Sequence, residues 1–274
     1  ALVIESPIIM LLTASTALSR DQNTYEKLWK VMTWMGFALT LLHVAIAFTP
    51  FYDTVVELLV KDADTLAKIR EPGRIGLQIM TPWTWSIAHR RFHQGVLIRF
   101  GKAGEVGWGT AVRLVADAVI LAIGFTLAKY QGIVVATSAV AVGVIAEALY
   151  IRWKVQPILQ GPLKEAKPKE PLITMREVIL FYLPIAFAPT IGLLGQPILT
   201  RAMSQLPGPL MTLAVWPTLN SLIFMLRSAG IAYSEVVIAL LDHPGGRKQL
   251  RRFAITLSLV LSAPILILCL TPLI

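Results

Sequence analysis

Six ionisable residues sit inside long apolar stretches of the chain: Glu5, Arg113, Asp117, Glu147, Arg227 and Glu235. Charge is costly inside a bilayer, so each is a candidate for work in a protein interior or a water-filled cavity. His43 and Asn220 are polar additions to the same set. Arg113 and Asp117 stand at i,i+4 and can pair on one helix face. Two readings of that pair stay open. It is a self-neutralising structural pair, or Asp117 exchanges a proton or a cation near the membrane midplane, roughly 16 Å from the basic end at 1.5 Å per residue. Glu235 lies about 10 Å and Arg227 roughly 22 Å from the same end by the same rise, eight residues apart on similar faces. Arg227 suits an anionic substrate group, or a structural ion pair. Glu5 lies in the corresponding helix of the first half. Glu147 is placed about a turn and a half from its helix end, within reach of the interface. His43 is expected in a hydrogen-bonded contact between helices, although an imidazole also titrates near neutral pH.

The elements that carry these residues are membrane spans. The 274-residue chain is 55% hydrophobic and only 15% charged, against about 25% charged in soluble domains. Its mean hydropathy is +0.67. Apolar runs of about the length that crosses a bilayer as a helix occur at 1–18, 29–50, 73–89, 107–128, 132–152, 176–200, 209–226 with a continuation to 241, and 250–272. Strand alternation of the barrel kind is absent from the sequence. The fold class expected is therefore all-α, a polytopic helical membrane protein of about eight spans. One cysteine, Cys269, excludes an internal disulfide and a cysteine-based zinc site.

The connectors are short and basic on one side only. Alternate connectors hold Arg20, Lys27 and Lys30; Arg90, Arg91, Arg99 and Lys102; Arg152, Lys154, Lys164, Lys167, Lys169 and Arg176; and Arg247, Lys248, Arg251 and Arg252. The other set holds only Lys61, Lys68, Arg70, Arg74, Lys129 and Arg201. The positive-inside rule puts loops 19–30, 89–106, 152–176 and 242–252 in the cytoplasm. The densest stretch, "HRRFHQGVLIRFGKAGE" at 89–105, thus reads as a topology signal, compatible with contacts to lipid phosphates. His89 and His93 at i,i+4 lack an evident third ligand, so no metal site is assigned. The tryptophans Trp29, Trp34, Trp83, Trp85, Trp108 and Trp153 mostly fall near span ends, as an interfacial belt does.

Residues 17–50 align without gaps to 239–272, with Ala17, Leu18, Leu28, Leu39, Thr49 and Pro50 matching Ala239, Leu240, Leu250, Leu261, Thr271 and Pro272. Both copies run from a polar loop through a basic helix start and an apolar run to Thr-Pro. Such a parallel repeat means two halves related by an axis along the membrane normal, six helices each and twelve in all. The expected organisation is an N-lobe bundle at 1–155 lacking its first helix, a cytoplasmic linker at 156–175, and the start of a C-lobe at 176–274 lacking its last helices. The charge and prolines of the linker suit an extended, solvated segment. Pro184, Pro189 and Pro197 fall in one span and remove three backbone donors. With Gly192 and Gly195 nearby, they are candidate hinges, or mark a static kink.

Several stretches carry a family resemblance. "RRFHQGVLIRFGKAGEVGWGTAVRLVADAVIL" resembles a fourth-to-fifth helix junction: a basic turn, a glycine-containing half-helix, a "GK" turn and a small-residue helix. "GIVVATSAVAVGVIAEALYIRW" looks like a sixth helix, and "FYLPIAFAPTIGLLGQPILTRAM" like a proline-bent seventh. "MTLAVWPTLNSLIFMLRSAGIAYSEVVIALLD" is similar to an eighth. The pattern resembles the multidrug/oligosaccharidyl-lipid/polysaccharide exporter superfamily, which includes the multidrug and toxin extrusion exporters and, closest to this chain, the progressive ankylosis-type proteins. The resemblance implies a two-lobe carrier working by alternating access.

The function expected is that of a secondary active exporter or flippase in a cell membrane, in keeping with a prokaryotic inner membrane. Its expected substrate is a small molecule or a lipid-linked sugar, with H+ or Na+ as the coupling ion and no other cofactor. No nucleotide-binding loop of the G-x-x-x-x-G-K-[ST] kind occurs, and the basic charge is spent on topology rather than on nucleic acid. A non-transporting membrane scaffold and an intramembrane lipid-modifying enzyme are the alternatives. The second lacks the clustered carboxylates, or the nucleophile beside a base, that such chemistry requires.

Overall fold

A computed structural model describes residues 2–168, 170–240 and 246–270, apart from several side chains in the last two helices. Every regular element among them is a helix. In chain order these are α1 (Leu2–Ile9), α2 (Leu11–Leu18), α3 (Gln22–Phe48), α4 (Phe51–Leu59), α5 (Ala63–Ile79), α6 (Thr81–Arg99), α7 (Ala103–Leu127), α8 (Gly132–Gln160), α9 (Pro162–Glu165), α10 (Met175–Met203), α11 (Pro209–Leu240) and α12 (Gly246–Leu270). Four described helices are long and apolar enough to cross a membrane: α3, α7, α8 with its α9 extension, and α10. They fit a multi-pass membrane protein. Their outward faces agree, since Trp34, Phe125, Ile191 and Ile198 are all largely exposed. Such a surface is stable against acyl chains and not against water.

The chain divides into two compact units, Ala1–Leu213 and Ala214–Ile274. The core of the first unit is built where α6 packs on α2, α3 and α8. Ile8, Leu11, Leu28, Met32, Phe92, Leu97 and Ile151 are fully buried there. In the second unit the Tyr233 hydroxyl donates to the Leu250 carbonyl across 3.0 Å, tying α11 to α12.

Two of the expected spans are broken. The run 1–18 forms two helices that meet at Met10, whose ψ of 3° leaves the helical range. Pro7 lies in the first of them, and its missing N–H leaves the Val3 carbonyl without its usual donor. The Ser6 hydroxyl lies 2.8 Å from that carbonyl instead. The expected span 73–89 is in fact the junction of α5 and α6, which meet at Met80, again with ψ of 3°. Pro82 in the first turn of α6 cannot donate to Gln78, and the i to i−4 ladder stops there.

The stretch 89–105 is corrected in a different sense. It is not a basic turn: α6 runs through Arg99, and only residues 100–102 turn. Arg90, His93 and Gln94 are buried. Likewise α8 continues to Gln160 and α9 follows, so the non-helical part of the expected linker begins at Ala166. On α10 the three prolines do not interrupt the helix, which is continuous from Met175 to Met203.

The basic connectors of the first unit do share one end of the bundle. The Lys27 ammonium donates to the Ile173 carbonyl across 2.6 Å. Lys154 lies 3.4 Å from Glu105, and the guanidinium of Arg152 lies over Trp29. At the opposite end Gln78 donates to the Ala47 carbonyl and Ser204 to the Leu59 carbonyl. There Arg70 and Arg74 both bond Asp53, at 2.8 Å and 2.5 Å.

Candidate functional site

The two helix breaks bring three side chains into one buried chain. Glu5 of α1, Thr84 of α6 and His43 of α3 are each at most 1% exposed. The Thr84 hydroxyl oxygen lies 2.9 Å from Glu5 Oε1 and 2.9 Å from His43 Nδ1. His43 Nε2 lies 3.0 Å from the Leu77 carbonyl, in the last turn of α5 before its break. The direct separation of His43 Nδ1 from Glu5 Oε1 is 3.8 Å. Thr84 is therefore the bridge.

The bonding pattern fixes how many protons this chain holds. The Leu77 carbonyl only accepts, so Nε2 carries a proton. The single hydroxyl proton of Thr84 can point to one neighbour, and the other must donate to it. Either a protonated Glu5 donates to Thr84 and Thr84 donates to neutral His43, or a protonated His43 donates to Thr84 and Thr84 donates to carboxylate. Both arrangements contain the same protons and carry no net charge. They interconvert when one proton passes through the hydroxyl. Removing one proton leaves a buried bond unmade and a net negative charge in an apolar interior, which is unfavourable on both counts. The second carboxyl oxygen, Glu5 Oε2, is buried with no hydrogen-bond partner. So are Thr81 Oγ1 and the Trp83 ring N–H beside the α6 break.

The site abuts α10. Ser6 Oγ is 3.0 Å from Thr190 Oγ1, and Thr190 Oγ1 is 2.8 Å from the Ala186 carbonyl. The Tyr182 hydroxyl donates to the Pro7 carbonyl. The neighbour of Glu5 thus touches the residue that follows the candidate hinge Pro189.

A second polar network joins α6 and α8, beside an ion pair within α7. Arg90 and Glu147 form a buried ion pair, and Gln94 donates to the other Glu147 oxygen across 2.9 Å. Glu147 is 1% exposed, so its expected reach to the interface is corrected: α6 covers it and supplies its partner. The Arg113–Asp117 pair forms as spaced, at 3.7 Å and partly exposed. Asp117 packs against Gly143 of α8, where any side chain would collide with its carboxylate.

The structure brings Glu5 together with His43, and Arg113 with Asp117. Asn220 is half-buried on α11, in the second unit. The side chains of Arg227 and Glu235 lie outside the described residues. Among the described residues, no group of three or more His, Cys, Asp or Glu side chains could hold a metal ion.

Sequence reading missed Thr84, Arg90 and Gln94 as site residues. Thr84 gives no signal of its own, since one threonine in an apolar helix is ordinary. Pro82 two residues earlier was the available cue to a break. Arg90 looked like loop charge because the helix end was set ten residues too early. No protein-family model, curated protein or solved structure matches the chain.

Proposed function

We propose that the protein is a secondary membrane carrier, an exporter or flippase that works by alternating access and is coupled to a proton gradient. The observation that carries this reading is the buried Glu5–Thr84–His43 chain at two broken helices. Interrupted helices that frame a buried ionisable site are a recurring construction in secondary transporters. A buried carboxylate with one exchangeable proton and a relay to an imidazole can load and release that proton when the site is opened to either side. The polar contacts of α1 with α10 give a route by which protonation would bias the proline-rich helix. The substrate is a small molecule or a lipid-linked sugar, and Arg227, Glu235, Asn220, Arg113 and Asp117 are the remaining candidates for its contacts. A cell-membrane location with the basic end in the cytoplasm belongs to the same proposal.

The test uses the full-length protein in liposomes containing a pH-sensitive dye. Organic cations, small polyanions such as citrate and nucleotides, and a lipid diphosphate are added in turn under an imposed pH gradient. One class is expected to drive proton movement in the wild type and not in Glu5→Gln. The same class should still raise the melting temperature of Glu5→Gln in detergent. Proton movement of wild-type size in that variant would remove the coupling role. Silence from every class in both assays would favour a scaffold.

A further inference from the structure

At the basic end of the first unit, Arg152 is held by aromatic and imidazole groups rather than by a carboxylate. Arg90 is paired with Glu147. Lys154 is paired with Glu105, which also accepts from Tyr150. Lys27 is bonded to Asn23 Oδ1 and to the Ile173 carbonyl. Arg152 hydrogen-bonds His93 Nε2 at 3.3 Å and also the Tyr25 hydroxyl, and among the described residues no carboxylate forms an ion pair with it.

Arg152 is nevertheless held in place. Its guanidinium carbon lies 5.7 Å from the Trp29 ring centroid, a cation–π separation. His93 Nδ1 is 2.8 Å from the His89 carbonyl. That carbonyl takes the Nδ1 proton, and Nε2 is left to accept from Arg152. His93 is fully buried and packs edge-on to both Trp29 and Phe92. The guanidinium is thus fixed through one ring face and through bonds to His93 and Tyr25, and its remaining donors are left to serve a ligand. Its level is that of the membrane interface. Trp153, next in the chain, is 65% exposed, and the Lys154 ammonium sits 4.7 Å from its ring centroid. Exposed tryptophan beside a cation, about a membrane's thickness along α8 from its start, marks the headgroup region. What a fixed, half-buried guanidinium meets at that depth is phosphate, whose oxygens match its fork.

We propose that Arg152, backed by Trp29 and oriented by His93, binds the phosphate of an anionic phospholipid at the basic end of the bundle. The lipid occupies the surface between α3, α6 and α8. This site is separate from the Glu5 chain and stands whether or not the protein is a carrier.

The experiment titrates the detergent-solubilised full-length protein with short-chain phosphatidylglycerol, phosphatidylcholine or inorganic phosphate, reading the melting temperature. Phosphatidylglycerol is expected to raise it saturably and at lower concentration than phosphatidylcholine, with inorganic phosphate inert over the same range. Arg152→Gln should raise the half-saturating phosphatidylglycerol concentration about tenfold or more, as loss of a charge-assisted bond implies. Lys154→Gln, whose ammonium already has Glu105, should titrate like the wild type. Should Arg152→Gln fail to fold, Arg152→Lys serves: it keeps the charge, loses the fork, and is expected to weaken binding measurably. An Arg152 variant that titrates like the wild type would overturn the site. An equal loss in Lys154→Gln would reduce it to diffuse charge. Saturation by inorganic phosphate that depends on Arg152 would overturn the lipid assignment in favour of a free anion.

Discussion

The hydroxyl of Thr84 is the smallest group on which the Glu5 site depends. Thr84→Val keeps shape and volume but removes the only bridge between Glu5 Oε1 and His43 Nδ1. Two buried polar atoms then lack a partner, at about 1–3 kcal/mol each. A clear fall in melting temperature is expected for Thr84→Val and little change for Thr84→Ser, which keeps the hydroxyl. Equal behaviour of the two variants would show that the methyl, not the bond, matters. The Arg90–Glu147 pair makes the opposite prediction about pairing. Arg90→Leu leaves a buried carboxylate unpaired and should cost about 3–5 kcal/mol, whereas Arg90→Leu with Glu147→Leu should recover most of that loss. Denaturation of the two single variants and the double variant measures the coupling. Additive losses would mean that the two groups do not share one energetic unit. Half of this site was legible in the sequence. Glu5 and His43 stood out as polar residues in apolar runs, but nothing in one dimension says that a carboxylate near residue 5 and an imidazole near residue 43 meet through a threonine at 84.

The closest approaches between helices in the first unit are made at glycines. At Gly95 an added Cβ would meet the Leu12 carbonyl oxygen, and the Thr16 backbone nitrogen would lie 2.8 Å away. Backbone cannot step aside as a side chain can. Gly95→Ala should therefore destabilise by about 1–3 kcal/mol, despite the gain of about 1 kcal/mol that alanine brings within a helix. Gly143→Ala meets the Asp117 carboxylate instead, which can turn away, so it should disrupt the Arg113–Asp117 pair at a smaller cost. A variant at either position with a raised melting temperature would mean that the helices separate easily there. The α4–α5 contact at the opposite end adds a pH dependence. Hydrogen bonds from Arg70 and Arg74 hold the Asp53 carboxyl down at about 2, from an ordinary 3.8. Because the folded value lies below the unfolded one, the stabilisation is complete above about pH 4 and is lost as pH falls towards 2. Hydrogen exchange of α4 should be flat in protection from pH 7 to 5 once corrected for intrinsic rates, and should rise below 4. Asp53→Asn should remove that acid step.

For the whole molecule, hydropathy located the long helices and misjudged the short ones. The expected span 132–152 lies within α8 and 107–128 nearly coincides with α7, because an uninterrupted apolar run of that length has one stable form in lipid. The runs 1–18 and 73–89 failed because each window averaged across a break, at Met10 and at Met80, and at the second the cause is Pro82 just beyond it. Charge position was more informative than charge sum. It groups loops 19–30, 89–106 and 152–176, and the contacts of Lys27, Arg152 and Lys154 gather the same three segments at one end. That agreement makes a labelling prediction possible, because Cys269 is the only cysteine to remove. In a Cys269→Ala background, single cysteines at the exposed positions Lys30, Lys102 and Lys167 should react with a membrane-impermeant maleimide from one side of a sealed vesicle. Cysteines at Lys61 and Lys129, also exposed, should react from the other. In intact cells the second pair should label and the first three should stay protected until the membrane is opened, if the basic end faces inward as the positive-inside rule has it. A split within either group would break the bundle arrangement itself. The two groups exchanging sides would keep the bundle and reverse its orientation, and would then place the Arg152 lipid site in the outer leaflet.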